Sequence, residues 1–342
     1  MGPYPIDVSA SGAVHLGTTV VCDGFYYGAS ARVQTHIHDD HMDDFDASKG
    51  FQYLFMSEPT KQLLVAERNA DLPFRENLQV LETGRPFDFE GHTIELLSSS
   101  HMLGAVQVAV ALPDGRRVGY SGDFQWPVHQ PIQVEGLVVD STYGNPDCRR
   151  EYTRADVEAR LLELVHRLLR SGAINIVANR GTLHRAMQIL AGQIDCPIIG
   201  SRRLCSEVQV YRDFGLPMDT LIELETADGR KALREAKYIR VYGKGDGSPD
   251  EPSANSTIVL SAFMSRPDDP VLAYSNRAFR IALSDHADFE GTLQYIRATG
   301  AQYVVTDNTR GGNAITLATE IRAQLGIDAR PSTNEPTLEW GK

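Results

Sequence analysis

In roughly the first 140 residues, apolar positions fall in short runs broken by turn residues, the mark of strands. Thr18–Cys22, Arg32–His36, Tyr53–Met56, Thr93–Leu97 and Ala105–Leu112 are apolar or β-branched runs of strand length. Pro113-Asp114-Gly115 joins Ala105–Leu112 to Arg117–Ser121 as a hairpin. Leu137–Asp140 reads as a short buried strand ending in a carboxylate, and Ser57–Glu67 as a helix with Pro59 in its first turn. This predicts a β-rich layer with helices outside.

The rhythm changes at Thr153. Thr153 and Asp156 resemble a capping box, and Val157, Leu161, Leu164, Val165 and Leu168 recur at helical spacing up to Gly172. Strands at Ala173–Ala178 and Pro197–Ile199 then alternate with helices at Thr182–Ala191 and Arg203–Phe214, which predicts parallel βαβ units. The Gly-, Pro- and Ser-rich stretch 243–256 reads as a loop. After it come strands Thr257–Ser261, Phe279–Leu283 and Tyr303–Thr306, with helices Ala287–Ala298 and Asn313–Leu325. The simplest organisation is one domain interrupted by another: 1–145, an inserted α/β domain at 146–255, and a return segment at 256–342.

Composition narrows the class. The chain has 342 residues, 42% hydrophobic and 23% charged, which suits a soluble globular protein with ample core. Neither a signal peptide nor an 18-residue apolar run is present, so a cytoplasmic location without a membrane partner is expected. Cys22, Cys148, Cys196 and Cys205 have no paired metal spacing and suit a reducing compartment. The net charge of −12 argues against a globally basic, nucleic-acid-like surface.

Polar chemistry concentrates in His36-Ile37-His38-Asp39-Asp40-His41, at the end of the Arg32–His36 strand. On an extended segment His36 and His38 point the same way, and a following turn swings Asp40 and His41 toward a neighbouring position. Imidazole nitrogens beside mixed oxygen and nitrogen donors suit two adjacent divalent metals. More candidate ligands sit where other strands stop: His101, Asp123, Asp140 and His286. Strand ends are where an α/β scaffold converges side chains on one site.

The succession His36, His38, Asp40, His41, His101 and Asp123 resembles the metal motifs of the metallo-β-lactamase superfamily, and Asp23-Gly24 resembles its early Asp-Gly element. Asp140-Ser141-Thr142-Tyr143-Gly144 and Ser284-Asp285-His286-Ala287-Asp288-Phe289 resemble the β-CASP branch, which holds RNA-processing endonucleases, 5′-exoribonucleases and DNA-repair nucleases. The resemblance implies an α/β fold, an αββα sandwich with an inserted α/β domain. It implies two divalent ions, zinc with manganese as the alternative, about 3.5–4 Å apart and sharing a hydroxide. His36, His38 and His101 would hold one ion, Asp40 and His41 the other, and Asp123 would bridge. Among the catalytic residues Asp40, Asp140 and His286, the last would be general acid, oriented by Asp140.

One motif departs from the pattern. The branch commonly has a histidine before glycine where this chain has Val304-Val305-Thr306-Asp307-Asn308, so Asp307 is the residue at hand, as ligand or as support for its neighbours. In the insert, Gly181-Thr182 stands where the branch carries Gly-Arg, at a helix start suited to anions. Ser261 and Ser265 lie in a loop resembling one that faces the cleft. Gly181, Thr182, Ser261 and Ser265 are thus the substrate-binding candidates. His15, His92, His129, His166 and His184 read as structural, and Thr309 to Asn313 as no more than the opening of the last helix.

The expected function is a metal-dependent phosphodiesterase acting on RNA or single-stranded DNA, alone, as a homodimer or in a processing or repair complex. The competing readings are a small-molecule ester, lactam or phosphodiester hydrolase on the same metals, and a degenerate scaffold. The blocks at Asp140 and His286 favour the nuclease, whereas Asp39, Asp40, Asp43, Asp44 and Asp46 crowd the site with negative charge.

Overall fold

Mixed α/β structure accounts for the chain in a computed structural model that describes residues 2–67, 70–243, 255–262 and 266–333. It divides into two units, one of residues 1–65, 69–149 and 286–342, the other of residues 66–68 and 150–285.

The first unit opens with a sheet of β1 (Ile6–Val8), β2 (Val14–Leu16), β3 (Val20–Cys22), β4 (Ala31–Val33), β5 (Tyr53–Met56) and β6 (Leu78–Val80), in that spatial order. Pairing is antiparallel up to β3 and parallel from there. Helices α1 (Phe45–Phe51) and α2 (Glu58–Glu67) connect β4 to β5 and β5 to β6. A second sheet begins with β7 (Phe87–Phe89), β8 (His92–Ser98), β9 (Val106–Ala111) and β10 (Arg117–Tyr120), antiparallel neighbours. It continues with β11 (Gly136–Val139), parallel to β10.

The second unit carries its own sheet. It comprises β12 (Ile174–Ala178), β13 (Ile198–Gly200), β14 (Ile222–Glu223), β15 (Ile239–Gly243), β16 (Ser256–Leu260), β17 (Val271–Ala273) and β18 (Ala278–Ile281). The spatial order is β14-β13-β15-β12-β16-β18-β17, parallel except for β17 against β18. Helices α3 (Arg154–Leu169), α4 (Arg180–Leu190), α5 (Arg202–Asp213) and α6 (Ala227–Ala232) fill the connections. The capping box forms: Thr153 accepts from the Asp156 amide and Asp156 from the Thr153 amide. Leu161 and Val165 of α3 and Leu183 and Met187 of α4 pack with Ile174, Ile176 and Ile258. The sequence puts the return of the first domain at residue 256. Instead β16 pairs with β12 and β18 with β16, so the second unit runs on to Asp285. The β12–β16 pairing joins Ile174 to Ser256, far apart along the chain, and leaves no local sequence signal.

Back in the first unit, α7 (Phe289–Thr299), β19 (Tyr303–Thr306), α8 (Ala314–Glu320) with a π turn at Ile321–Leu325, and β20 (Asp328–Pro331) complete the second sheet. Its order is β20-β19-β11-β10-β9-β8-β7. The first unit's two sheets face each other: Val8, Leu16, Val20 and Val33 meet Leu96, Val108, Val138 and Val305 in one core. Alternate residues Leu137, Val139 and Val304 turn outward onto Phe289 and Leu293 of α7 and Leu317 of α8. Burial on both faces explains why β11 and β19 read as unbroken apolar runs.

Strand direction positions the site. β8 and β10 are both antiparallel to β9, and β11 and β19 run parallel to β10, so all four end on the same edge. His101, Asp123, Asp140 and Asp307 each follow one of those ends. The sequence takes His36 as strand, but β4 stops at Val33, because beyond it Gln34 and Thr35 bond individually to Phe55 and Val106. Among the described residues no helix is long and apolar enough to cross a membrane. Ser265 and most of the 243–256 loop lie outside the described residues.

His15 on β2 is buried opposite Asp7, with Tyr26 edge-on at 4.7 Å. Burial lowers its pKa to about 4, against the pull of Asp7. The folded state therefore refuses a proton that the unfolded chain accepts, so His15 leaves stability intact above pH 6.5 and erodes it from there down to about pH 4. Between pH 7.5 and pH 5, urea unfolding should show the parent losing on the order of 2 kcal/mol more than a His15→Gln variant, since all other titrating groups are shared.

Candidate metal centre

Four imidazoles and a carboxylate meet beyond the strand ends. Nε2 of His36 and Nε2 of His101 each lie 3.1 Å from Nδ1 of His38. Asp123 Oδ2 faces the same three nitrogens at 3.4, 3.9 and 3.5 Å for His36, His38 and His101. Its other oxygen, Oδ1, is 3.2 Å from His41 Nε2, and Asp40 Oδ2 lies 3.9 Å from that nitrogen. One carboxylate thus looks toward two donor sets.

The backbone produces this arrangement locally. After β4 the chain stays extended to His38 and then turns through one 3-10 turn, Asp39–His41. Arg32, fully buried on β4, holds the turn by donating to the carbonyls of His41 and Asp43, both at 2.8 Å. Gln34 donates to the carbonyls of His36 and His41. Asp123 is aimed by Gly122, whose φ of +56° and 2.6 Å approach of any Cβ to the Val106 carbonyl admit only glycine.

Hydrogen bonds outside the cluster set the ring tautomers. His41 Nδ1 donates to Asp23 Oδ2 at 2.8 Å. Thr35 Oγ1 donates to the same Asp23 oxygen at 2.5 Å and therefore accepts from His36 Nδ1, 2.9 Å away. Both rings therefore turn Nε2 inward, and His41 Nε2 is buried without a hydrogen-bond partner. Burial and the neighbouring His41 charge hold His36 well below the usual imidazole range. Burial also disfavours the charged forms of His41 and Asp123. Even so, Asp123 and Asp23 raise His41 to about 10, and His41 and His286 keep Asp123 well below the carboxylate range.

Three inward-facing ring nitrogens and one carboxylate oxygen have the spacing of a cation's donors. Donors about 2.0–2.1 Å from a tetrahedral ion lie about 3.3–3.4 Å from one another. The observed separations of 3.1 to 3.9 Å bracket that value. His36, His38, His101 and Asp123 form one group able to hold a metal ion; Asp23, His36 and His41 form another, and Asp123, Asp140 and His286 a third. Imidazole and carboxylate donors with no thiolate suit zinc or manganese. An Asp–His–ligand relay such as Asp23–His41 orients metal-binding rings.

His286 lies at the rim, its Nε2 3.6 Å from Asp123 Oδ2. Its Nδ1 donates to Asp140 Oδ2 at 2.9 Å, while Asp140 Oδ1 accepts from the amide and hydroxyl of Thr142. Asp307 is engaged elsewhere: Oδ2 pairs with Arg310 at 2.6 Å and Oδ1 accepts from the amide and hydroxyl of Thr309. It belongs to none of the donor groups found among the described residues.

The insert's substrate candidates sit in the second unit. Gly181 and Thr182 are buried in the first turn of α4, and Ser261 follows β16 with its amide bonded to the Ile281 carbonyl. His184 is buried, bonds the Arg180 carbonyl, stacks on Tyr211 at 4.4 Å and pairs with Glu207 at 3.1 Å. Residues given no role from sequence are Arg32, Gln34, Thr35 and Arg310. Asp23 had a signal, the Asp-Gly pair, but no assigned task.

No family model matches the chain. It is 28% identical over 138 residues to the DNA cross-link repair protein pso2/snm1 of Schizosaccharomyces pombe, covering 36% of this chain and only 24% of that protein. A crystal structure of a protein of unknown function from Enterococcus faecalis V583 has a similar fold, with a TM-score of 0.60 at 16% identity, covering 90% of this chain and 80% of that one. With the histidine–aspartate cluster, these similarities fit a metallo-β-lactamase-like fold. The chain is also 35% identical over 130 residues to the uncharacterized protein in the lig 3′ region of Acidianus ambivalens, covering 37% of this chain and 92% of that protein. At that identity and coverage, this chain belongs to the family of the Acidianus ambivalens protein.

Proposed function

We propose that the protein is a metal-dependent phosphodiesterase of the β-CASP type, hydrolysing RNA or single-stranded DNA at a dinuclear zinc centre. The observation that carries this reading is the convergence of three ring nitrogens on one face of Asp123, with the Asp140–His286 pair beside them. Similarity to a DNA cross-link repair protein supports the nucleic-acid substrate.

His36, His38, His101 and Asp123 would hold the first ion, and His41, Asp40 and Asp123 the second. Bound ions would supply Lewis acidity, polarising a phosphoryl oxygen and acidifying water. The chain's own groups do the rest. Asp140 keeps the Nδ1 proton of His286 in place, so the proton His286 delivers to a leaving oxygen resides on Nε2. With 17% of its side chain exposed, His286 is open to substrate, whereas His41 is sealed and serves only to bind. Asp23 and Thr35 take the outer protons of His41 and His36, so that Nε2 of each ring faces inward.

A small phosphodiester is the second reading, favoured by the acidic run from Asp39 to Asp46 and by arginines already paired. Arg149 meets Glu290, Arg154 meets Glu158, and Arg203 meets Glu207. Polyanion binding requires free cations.

End-labelled RNA and single-stranded DNA, assayed beside bis-p-nitrophenyl phosphate, decide between the readings. Cleavage of the polynucleotides is expected, and turnover of the small ester alone would sink the nuclease reading. Chelation should abolish activity and zinc or manganese restore it. His38→Ala and Asp123→Asn should each lower activity about 100-fold or more and release metal; full activity in both overturns the metal assignment. His286→Ala should slow turnover by about 10²–10⁴-fold while metal content stays at the parent level; metal loss instead would make His286 a ligand.

A further inference from the structure

Arg310 comes from the segment that reads in the sequence as a mere entry to the last helix, yet its guanidinium is bonded on every side. Its side chain is only 9% exposed. Nη1 donates to Asp307 Oδ2 at 2.6 Å, Nη2 to the carbonyls of Gly12 at 2.5 Å and Asp23 at 3.2 Å, and Nε to the Asp40 carbonyl at 3.0 Å. Two of those three carbonyls belong to residues that shape the His41 half of the centre. Asp40 brings its carboxylate to 3.9 Å from His41 Nε2, and Asp23 grips His41 Nδ1.

Both residues need holding. The Asp40 side chain is more than half exposed, so its backbone is what fixes it. Asp23 has a φ of 55°, a left-handed conformation that a residue with a Cβ keeps only when its surroundings enforce it. A guanidinium fork can serve three carbonyls and a carboxylate together; a lysine ammonium cannot. Gly12 leaves room for that fork, since a Cβ there would lie 3.2 Å from Arg310 Nη2. The His36–His38–His101 set receives no bond from Arg310.

We propose that Arg310, anchored by Asp307, is the positioning residue of the His41–Asp40 half of the metal centre, so that Asp307 supports that half at one remove through the arginine. The proposal rests on the metal-centre reading above. Its consequence is asymmetric: loss of Arg310 loosens one ion and spares the other.

Zinc titration of the metal-free protein against a chromophoric chelator, with near-UV circular dichroism as the check on folding, tests this. The parent should bind two ions. Arg310→Gln should keep the first ion's affinity and weaken the second by about 10–100-fold, with Arg310→Lys between it and the parent. Asp307→Asn, whose amide oxygen still accepts from Arg310, should weaken the second ion less than Arg310→Gln does. Parent-like affinities in both arginine variants overturn the proposal, as does equal weakening of both ions. Loss of the second ion in Asp307→Asn with its retention in Arg310→Gln would make Asp307 a ligand and overturn it too. If Arg310→Gln fails to fold, Arg310→Lys, which keeps the charge beside Asp307, carries the same comparison. A parent that binds no zinc rejects the metal centre itself, and a parent with one ion removes the half that Arg310 would position.

Discussion

Asp123 is the constraint on which the centre depends. An ionised carboxylate buried at the end of an interior strand is unfavourable unless opposite charge or strong donors surround it. Here the surroundings are imidazoles on both sides, and ring nitrogens 3.1 Å apart need a proton or a cation between them. A cation placed in this cage of donors would meet both needs at once. The position of Asp123 is fixed from behind by Gly122 and by β10 running between β9 and β11.

The cage draws on both sheets of the first unit. Asp23, His36, His38 and His41 follow β3 and β4 of the first sheet; His101, Asp123 and Asp140 follow β8, β10 and β11 of the second. The valine- and leucine-filled core between the sheets thus sets ligand-to-ligand distances, and repacking it would be felt at the metal position before any ligand changed.

Much of this was legible in the sequence, and the reasons are specific. β11 and β19 are short apolar runs buried on both faces, β5 is buried from Leu54 on, and α3 declares itself by period and capping box. The hexapeptide from His36 to His41 has no common structural use, so its chemistry shows through. What stayed hidden depends on partners far along the chain. β1 and β2, Ile6-Asp7-Val8 and Val14-His15-Leu16, alternate correctly but are only three residues each, too short for the pattern to stand out. Arg32 and Arg310 bond mainly to backbone carbonyls, and a carbonyl has no letter in the sequence. Asp307 fell between: its place after β19 was readable, but the neighbour that takes its charge was not.

The hydrogen bond between His286 and Asp140 joins residues 146 apart, and all of the second unit except residues 66–68 lies between them in sequence. Departure and re-entry of the chain are thus marked by two halves of one proton-holding pair. An excursion that begins and ends at a single point is modular: its length and content are free to drift, provided its two ends return to bonding distance. Grafting a different domain between residues 149 and 286 therefore turns first on end-to-end spacing, with the Asp140–His286 bond as its own gauge of success.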